Sequence, residues 1–495
     1  MTPVDPSRWT LVAGPQFRTP ELTGLEGVVA GTPELSLLRT AYVDTIDLRI
    51  LRNGGELRIE SGRGWTVVLG SGEHTAQHVA RVHHFDGGLA VPAQALDLLT
   101  GYTRGAPVRP VLNTRTERRE VPLKSTDNDD LGRLRDDLVT VMHGRRIATR
   151  FRELEVVPVE TGSASPAPLA EVVAALREAG ATPASSAPTA TRALGAPASA
   201  PPDVTVPLAG RDATAAEAVR RAIAQSVARL LLNDAAVRVG EDAEGVHQAR
   251  VATRRLRSDL RTFRPLLDPD WVAQLRDELH TLADLLGAVR DTDVMVDRLR
   301  RAAESLPGAE PAAASSLLRE LGATRDRARE RLLESMRRDS YRRLLDDLVR
   351  AASQPPTTPE ASGDAPALLP PLARGPWRKL RRRVRELPEK PSDSDLHEVR
   401  ILAKRARYAA EAVSAVARPA VATFADAVAD LQEVLGDHHD AVVAEAWLRA
   451  HGAAIKDRFA LGELVGLERA AAATGRRAWP RAWTAVLRAR PKQWS

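Results

Sequence analysis

Cysteine is absent from this 495-residue chain, which excludes disulfides and thiolate chemistry and fits a reducing compartment. Aromatic residues make up only 4%, whereas proteins that hold single-stranded nucleic acid normally interleave stacking rings with their basic side chains. No apolar run approaches the length of a membrane span, so none is expected. A dominant charge of one sign is also missing: 71 Lys and Arg face 65 Asp and Glu, a net of +6. Basicity must therefore be local, which favours a focused anion site over a chain that coats any polyanion. The opening residues, MTPVDPSRWTLVAG, lack the charged segment and apolar core of a signal peptide, and a cytoplasmic protein is expected. What remains is ample for folding. Hydrophobic residues make up 43%, and the length suggests two to four domains.

One helical stripe is written twice. His247, Arg250, Arg254, Arg257 and Arg261 recur 150 residues later as His397, Arg400, Lys404 and Arg407, with Glu411 in the last place. At roughly 100° per residue these positions stay within about 80° of one another on a helix. The opposite face is apolar in both copies: Ala249, Ala252, Leu256, Leu260 and Phe263, then Val399, Leu402, Ala406, Ala410 and Val413. Each helix is expected to pack through one face and lift a cationic row from the other. Such rows usually mean a solvated surface, but no acid interrupts the first, and a repetitive anion is its natural partner.

Composition shifts near residue 195. Before it, strand-like runs at Ala41–Ile50, Leu57–Glu60, Trp65–Leu69 and Phe151–Val159 flank turns such as Asn53-Gly54-Gly55, and Leu169–Ala179 reads as an amphipathic helix stopped by Gly180. The Ala/Pro/Ser-rich stretch 181–207 reads as a tether, and nearly everything from Thr214 on has helical period, broken by a Pro-rich stretch at 354–376. The two helical parts are internal copies. Besides the stripe, Leu285-Leu286-Gly287-Ala288-Val289-Arg290-Asp291 matches Val434-Leu435-Gly436-Asp437-His438-His439-Asp440, and both segments are read as turns. The expected fold is multidomain α+β: an amino-terminal β-rich domain with helices, then an all-α pair of pseudo-twofold related four-helix bundles enclosing a basic channel. The expected divisions are 1–195, a linker at 196–210, a first bundle at 211–350, a second linker at 351–376 and a second bundle at 377–490.

The phrases Val246-His247-Gln248-Ala249-Arg250-Val251-Ala252-Thr253-Arg254-Arg255-Leu256-Arg257 and Leu396-His397-Glu398-Val399-Arg400-Ile401-Leu402-Ala403-Lys404-Arg405-Ala406-Arg407-Tyr408 resemble the signature of the CHAD family. The resemblance covers about residues 205–490. It implies a two-bundle helical fold whose basic central pore binds inorganic polyphosphate.

The amino-terminal part resembles a CYTH domain, the usual partner of CHAD. Tyr42-Val43-Asp44-Thr45-Ile46-Asp47-Leu48-Arg49-Ile50-Leu51-Arg52 carries the likeness, with Leu57-Arg58, the run Arg115–Arg119, Phe151-Arg152-Glu153-Leu154-Glu155 and Thr191-Arg192-Ala193-Leu194 in the expected order. The resemblance implies an antiparallel β tunnel or barrel, in which active members hold triphosphate with Arg and Lys and a divalent metal with Glu. This chain departs from them where chemistry would need it. The opening Glu-x-Glu-x-Lys is replaced by Ser7-Arg8-Trp9-Thr10-Leu11-Val12, Val68 stands for a tunnel lysine, and Val157 follows Glu153 and Glu155. A hard cation needs several oxygen ligands, so a degenerate, non-catalytic tunnel is expected.

The expected polyphosphate site comprises the row residues together with Arg290 and His439 and, from the basic cluster at 377–385, Lys379 and Arg383, which share a helix side. Asp291 and Asp440 are read as orienting arginines, and Arg58, Arg115, Glu153 and Glu155 as a residual tunnel. For Arg58, Arg115, Arg118 and Arg119, cross-strand pairing with acids is the competing reading. His74, His78, His83 and His84 lie in a turn-rich stretch without cysteine, which argues against zinc. No metal, cofactor or catalytic residue is expected. The expected partner is polyphosphate or its granules, with neither nucleic acid nor membrane. The alternative is a metal-dependent tri- or polyphosphatase acting in the amino-terminal tunnel with Mg or Mn.

Overall fold

The computed structural model describes residues 9–70, 81–159, 167–184, 187–208, 212–308, 314–414, 416–417, 419–452 and 458–494. The chain forms two compact units, with the division between Pro202 and Asp203.

The first unit is built on one ten-stranded antiparallel sheet: β1 (Trp9–Ala13), β2 (Val29–Ala30), β3 (Glu34–Asp44), β4 (Glu56–Glu60), β5 (Gly64–Leu69), β6 (Arg81–Phe85), β7 (Arg109–Lys124), β8 (Asp130–His143), β9 (Arg146–Pro158) and β10 (Thr182–Pro183). Among the described residues the ladder is an open path from β10 to β6, with β2 on the side of β7. Its helices are α1 (Arg49–Arg52), α2 (Ala93–Leu98), α3 (Thr100–Thr103), α4 (Ala167–Glu178) and α5 (Thr189–Leu194). The Leu169–Ala179 expectation meets α4, which buries Leu169, Val172, Val173 and Leu176. The strand expected at Ala41–Ile50 is too long. It stops at Asp44, whose buried carboxylate accepts hydrogen bonds from the backbone N–H of Ile50 and Leu51, both at 2.9 Å, and so turns the chain into α1. The expected tether also carries structure, since β10 and α5 lie within it.

The second unit is helical: α6 (Ala215–Val239), α7 (Glu244–Thr262), α8 (Pro269–Glu304), α9 (Ser315–Arg337), α10 (Asp339–Ser353), α11 (Ala365–Leu368), α12 (Pro370–Arg385), α13 (Asp393–Ser414), α14 (Pro419–His451) and α15 (Arg458–Ala489). Local chemistry sets these ends. Thr214 and Glu217 cap α6 reciprocally, Gly240 ends it at φ 69°, and Asp268 caps α8 ahead of Pro269. A Cβ on Gly245 would lie 2.7 Å from the Ala236 backbone, so glycine there lets α6 and α7 approach closely.

Two corrections follow. The stretch 351–376 is not a bare linker, because α11 and the first turns of α12 occupy it and α12 continues through Pro376. Nor does each repeat close its own core. One contiguous core runs from Val219, Leu256, Leu260 and Phe263 of the first repeat to Trp377, Val399, Phe424 and Leu435 of the second. A smaller cluster joins Leu299 and Leu317 to Leu448 and Leu464, again across the repeats. Shared burial of this kind fixes α7 and α13 against each other, and with them the rows that they carry.

Candidate functional site

The apolar faces of α7 and α13 are buried as the pattern requires. Ala249, Ala252, Leu256, Leu260, Val399, Ala406, Ala410 and Val413 are at most 1% exposed. Their polar faces converge on a cavity of about 470 Å³. Helix α7 supplies His247, Arg250 and Arg254, and α13 supplies His397, Arg400 and Lys404. Arg290 enters from α8 and His439 from α14. The acids on its wall are Asp291 and Asp440, which occupy equivalent places. Asp291 lies 2.9 Å from Arg250, and Asp440 lies 4.0 Å from Arg400. The segments expected as turns around Gly287 and Gly436 are interior stretches of α8 and α14, and Asp291 and Asp440 line the cavity from these helices.

Crowding of like charge shows in the proton affinities. Burial, then Arg400, Arg254 and Arg250, bring the Lys404 amine down to about 7. Burial, His397, Arg400 and Lys404 bring His439 down to about 4. His247 is lowered by burial and Arg290, and His397 by burial and Arg400. The rings of His397 and His439 are tilted by 31° with centroids 4.2 Å apart and Nδ1 atoms 3.1 Å apart, an approach that two imidazolium ions would resist. Arg254, itself lowered by burial, lies over the Tyr408 ring at 5.2 Å. The cavity thus holds more cationic capacity than it can charge when empty.

Eight of the thirteen expected site residues line this cavity. Arg407 lines a neighbouring cavity of about 690 Å³ that shares His247 and Arg254 with the first. Arg257 reaches His280 at 3.4 Å, and Arg261 is exposed near Arg405 and Arg276. Lys379 is exposed and lines neither cavity, and Arg383 is engaged by Asp395 and Glu398 at the start of α13. His438 is buried outside the cavity lining, with its Nδ1 2.9 Å from the Ala472 carbonyl and its Nε2 3.0 Å from Asp393. Sequence reasoning missed Arg298, which lines the cavity and pairs with buried Glu468 at 2.6 Å. Its spacing of eight from Arg290 on α8 was the available signal.

The first unit has its own polar cavity of about 200 Å³, lined by Arg58 and Arg118 but also by Glu60, Asp137, Glu153 and Glu155. Arg118 is gripped by Asp137 at 2.8 and 2.7 Å, Arg58 is paired with Glu56, and Glu153 takes Arg192 and Thr189. Arg135 reaches Glu155 at 3.4 Å. Arg115 is exposed and pairs with Glu117 at 3.4 Å, outside this cavity. Of the four histidines before β7, His74 and His78 lie outside the described residues. His83 and His84 are adjacent on β6 and so point to opposite faces, where His84 meets Thr66 at 3.2 Å.

The CHAD domain family matches residues 221–449. "Uncharacterized protein Rv2226" of Mycobacterium tuberculosis (strain H37Rv) is 31% identical over 477 residues, covering 87% of this chain and 85% of its own length. "Uncharacterized protein MT2285" of strain CDC 1551 matches to the same extent. Among solved structures, PptA from Streptomyces chartreusis is 26% identical over 55% of this chain and 100% of its own, with a TM-score of 0.45. The CHAD domain from the plant Ricinus communis is 25% identical over 58% and 96%, with a TM-score of 0.46. Among the described residues, no helix is long and apolar enough to cross a membrane.

Proposed function

The chain belongs to the CHAD-domain family, and from that premise we propose that it binds inorganic polyphosphate in the cavity between its two repeats, without chemistry of its own. One observation carries the reading: two cationic rows from separate helices face a shared space whose walls hold two acids, Asp291 and Asp440. Guanidinium forks grip phosphate oxygens bidentately, and each charge-assisted bond contributes roughly 1.5–3 kcal/mol net. A linear chain of phosphates presents one anionic unit after another, which matches a row better than any single ion does. The family that the chain resembles is known for this ligand, and attachment to polyphosphate granules follows if the free polymer is bound.

The amino-terminal cavity is given no catalytic role in this reading. Its four lining acids outnumber its two lining arginines, and those arginines are engaged by carboxylates of the protein itself, which a triphosphate would have to displace. Calorimetric titration of the full-length protein with long-chain polyphosphate at two salt concentrations tests the proposal. Tight binding is expected, with log affinity falling against log salt by about 0.7 per neutralised phosphate, by analogy with single strands. Absence of binding at low salt, or failure of polyphosphate to displace bound RNA, overturns it.

A further inference from the structure

We propose that the cavity beyond Arg254, between α6, α7 and the last turns of α13, is a second phosphate subsite that Glu411 holds shut, so that only a chain long enough to pass Arg254 and displace this carboxylate fills it. The proposal rests on the reading of the central cavity as a polyphosphate site and adds a length threshold to it.

The two cavities are continuous in their lining, since His247, Val251 and Arg254 belong to both. Past Arg254 the walls bring Arg221 and Arg229 from α6, Arg255 from α7 and Arg407 from α13. Against these stand Asp259 and Glu411. Glu411 takes both central guanidiniums at once: Arg255 on one oxygen and Arg407 on the other, the latter at 2.6 Å. These two arginines also flank the Tyr408 ring at 5.8 and 5.7 Å, which fixes them beside Arg254 in a single cluster. A chain that has reached Arg254 therefore meets its next two cations already occupied by a carboxylate.

The other copy of the repeat lacks this arrangement in its sequence. Shifted by 150 residues, Arg255 corresponds to Arg405 and Glu411 to Arg261. At that end Arg405 heads the charges that lower Arg261, followed by Arg276 and Arg257. The sequence thus places an acid and an arginine at one end where the other end has two arginines.

Two buried groups at the Glu411 end make no side-chain hydrogen bond. Neither oxygen of Asp259, 1% exposed, accepts a hydrogen bond, and its nearest cation is Arg255 at 3.5 Å. The Tyr408 hydroxyl likewise makes none. Both fit a second arrangement. If Glu411 turns away, Asp259 remains beside Arg255, and a phosphate oxygen supplies the acceptor that the Tyr408 hydroxyl lacks. Carboxylate and phosphate compete for the same forks, so short chains stop at Arg254 while longer ones gain enough contacts to open the subsite.

The test titrates the full-length protein with tripolyphosphate and with long-chain polyphosphate at several salt concentrations. Glu411→Gln is expected to raise long-chain affinity about tenfold and to steepen the salt slope by about 1.4, two phosphates at about 0.7 each. Tripolyphosphate affinity stays within about twofold, because that ligand does not reach past Arg254. Adding Arg255→Gln to Glu411→Gln reverses the gain. Glu411→Asp, which keeps the charge and shortens its reach, gives a smaller gain in the same direction and serves if the glutamine variant folds poorly. Equal affinity and slope for wild type and both Glu411 variants overturn the proposal, as does an equal gain for the short and long ligands. Either result leaves the central site intact if Arg254→Glu with Lys404→Glu abolishes binding. Failure of the wild-type protein to bind any phosphate chain instead overturns the underlying function.

Discussion

Lys404 concentrates the account at the scale of one residue. An amine ordinarily charged up to pH 10.5 is brought to about 7 by burial and three arginines, so the empty protein holds fewer protons there than its unfolded chain between those values. Stability from this group is therefore lowest below pH 7, where the folded state must carry the charge, and rises with pH from 7 towards 10.5. Lys404→Met is expected to raise the thermal midpoint of the empty protein at pH 6 while weakening polyphosphate binding at least tenfold, which scanning fluorimetry with and without ligand measures. Bound phosphates favour the charged amine, so binding at pH 8 takes up protons and affinity falls as pH rises above 7. Calorimetry in buffers of different ionisation enthalpy reads that uptake, and Lys404→Arg removes it. The His/Arg/Lys row was legible as a row because helical spacing fixes which side chains share a face. What each member meets was not. Lys379 and Arg383 share a side in sequence, yet Arg383 is claimed by Asp395 and Glu398 from the next helix, a contact that spacing within one helix cannot reveal.

At the scale of elements, the proposed binding depends on α7 and α13 separating their two faces cleanly. Leu256 is 1% exposed beneath the row, and Leu256→Ala is expected to cost about 2–5 kcal/mol in denaturant unfolding without touching the charges above it. Arg250→Gln and Arg400→Gln, equivalent by the repeat and each beside its own aspartate, are expected to weaken polyphosphate binding by similar factors of about tenfold in titration. The long helices were legible from apolar period. The Pro-rich stretch before α12 was not, because proline marks the start of a helix as readily as a break, and α12 opens on Pro370 and Pro371. Strands β7 and β8 escaped for a related reason. In β7 the inward Thr116 and Arg118 are polar like their exposed neighbours, so the usual apolar alternation is absent.

At the scale of the molecule, duplication explains the site and its inequality. A shared core welds the two repeats, placing the cavity where both rows meet, while Glu411 against Arg261 makes the two ends different. The repeat itself could be read directly from the sequence; the merging of two expected bundles into one core could not, since burial between distant segments leaves no periodic mark. The amino-terminal unit keeps arginines and glutamates in strand positions but spends them on one another. No phosphate release from tripolyphosphate is therefore expected with Mg²⁺ or Mn²⁺, in a malachite-green assay of the full-length protein. The most direct test compares wild type with Arg254→Glu/Lys404→Glu in titrations with long-chain polyphosphate at low salt, alongside circular dichroism. Salt-sensitive binding by the wild type, abolished in the variant at unchanged helical content, is the predicted result. Equal binding by both proteins would contradict it.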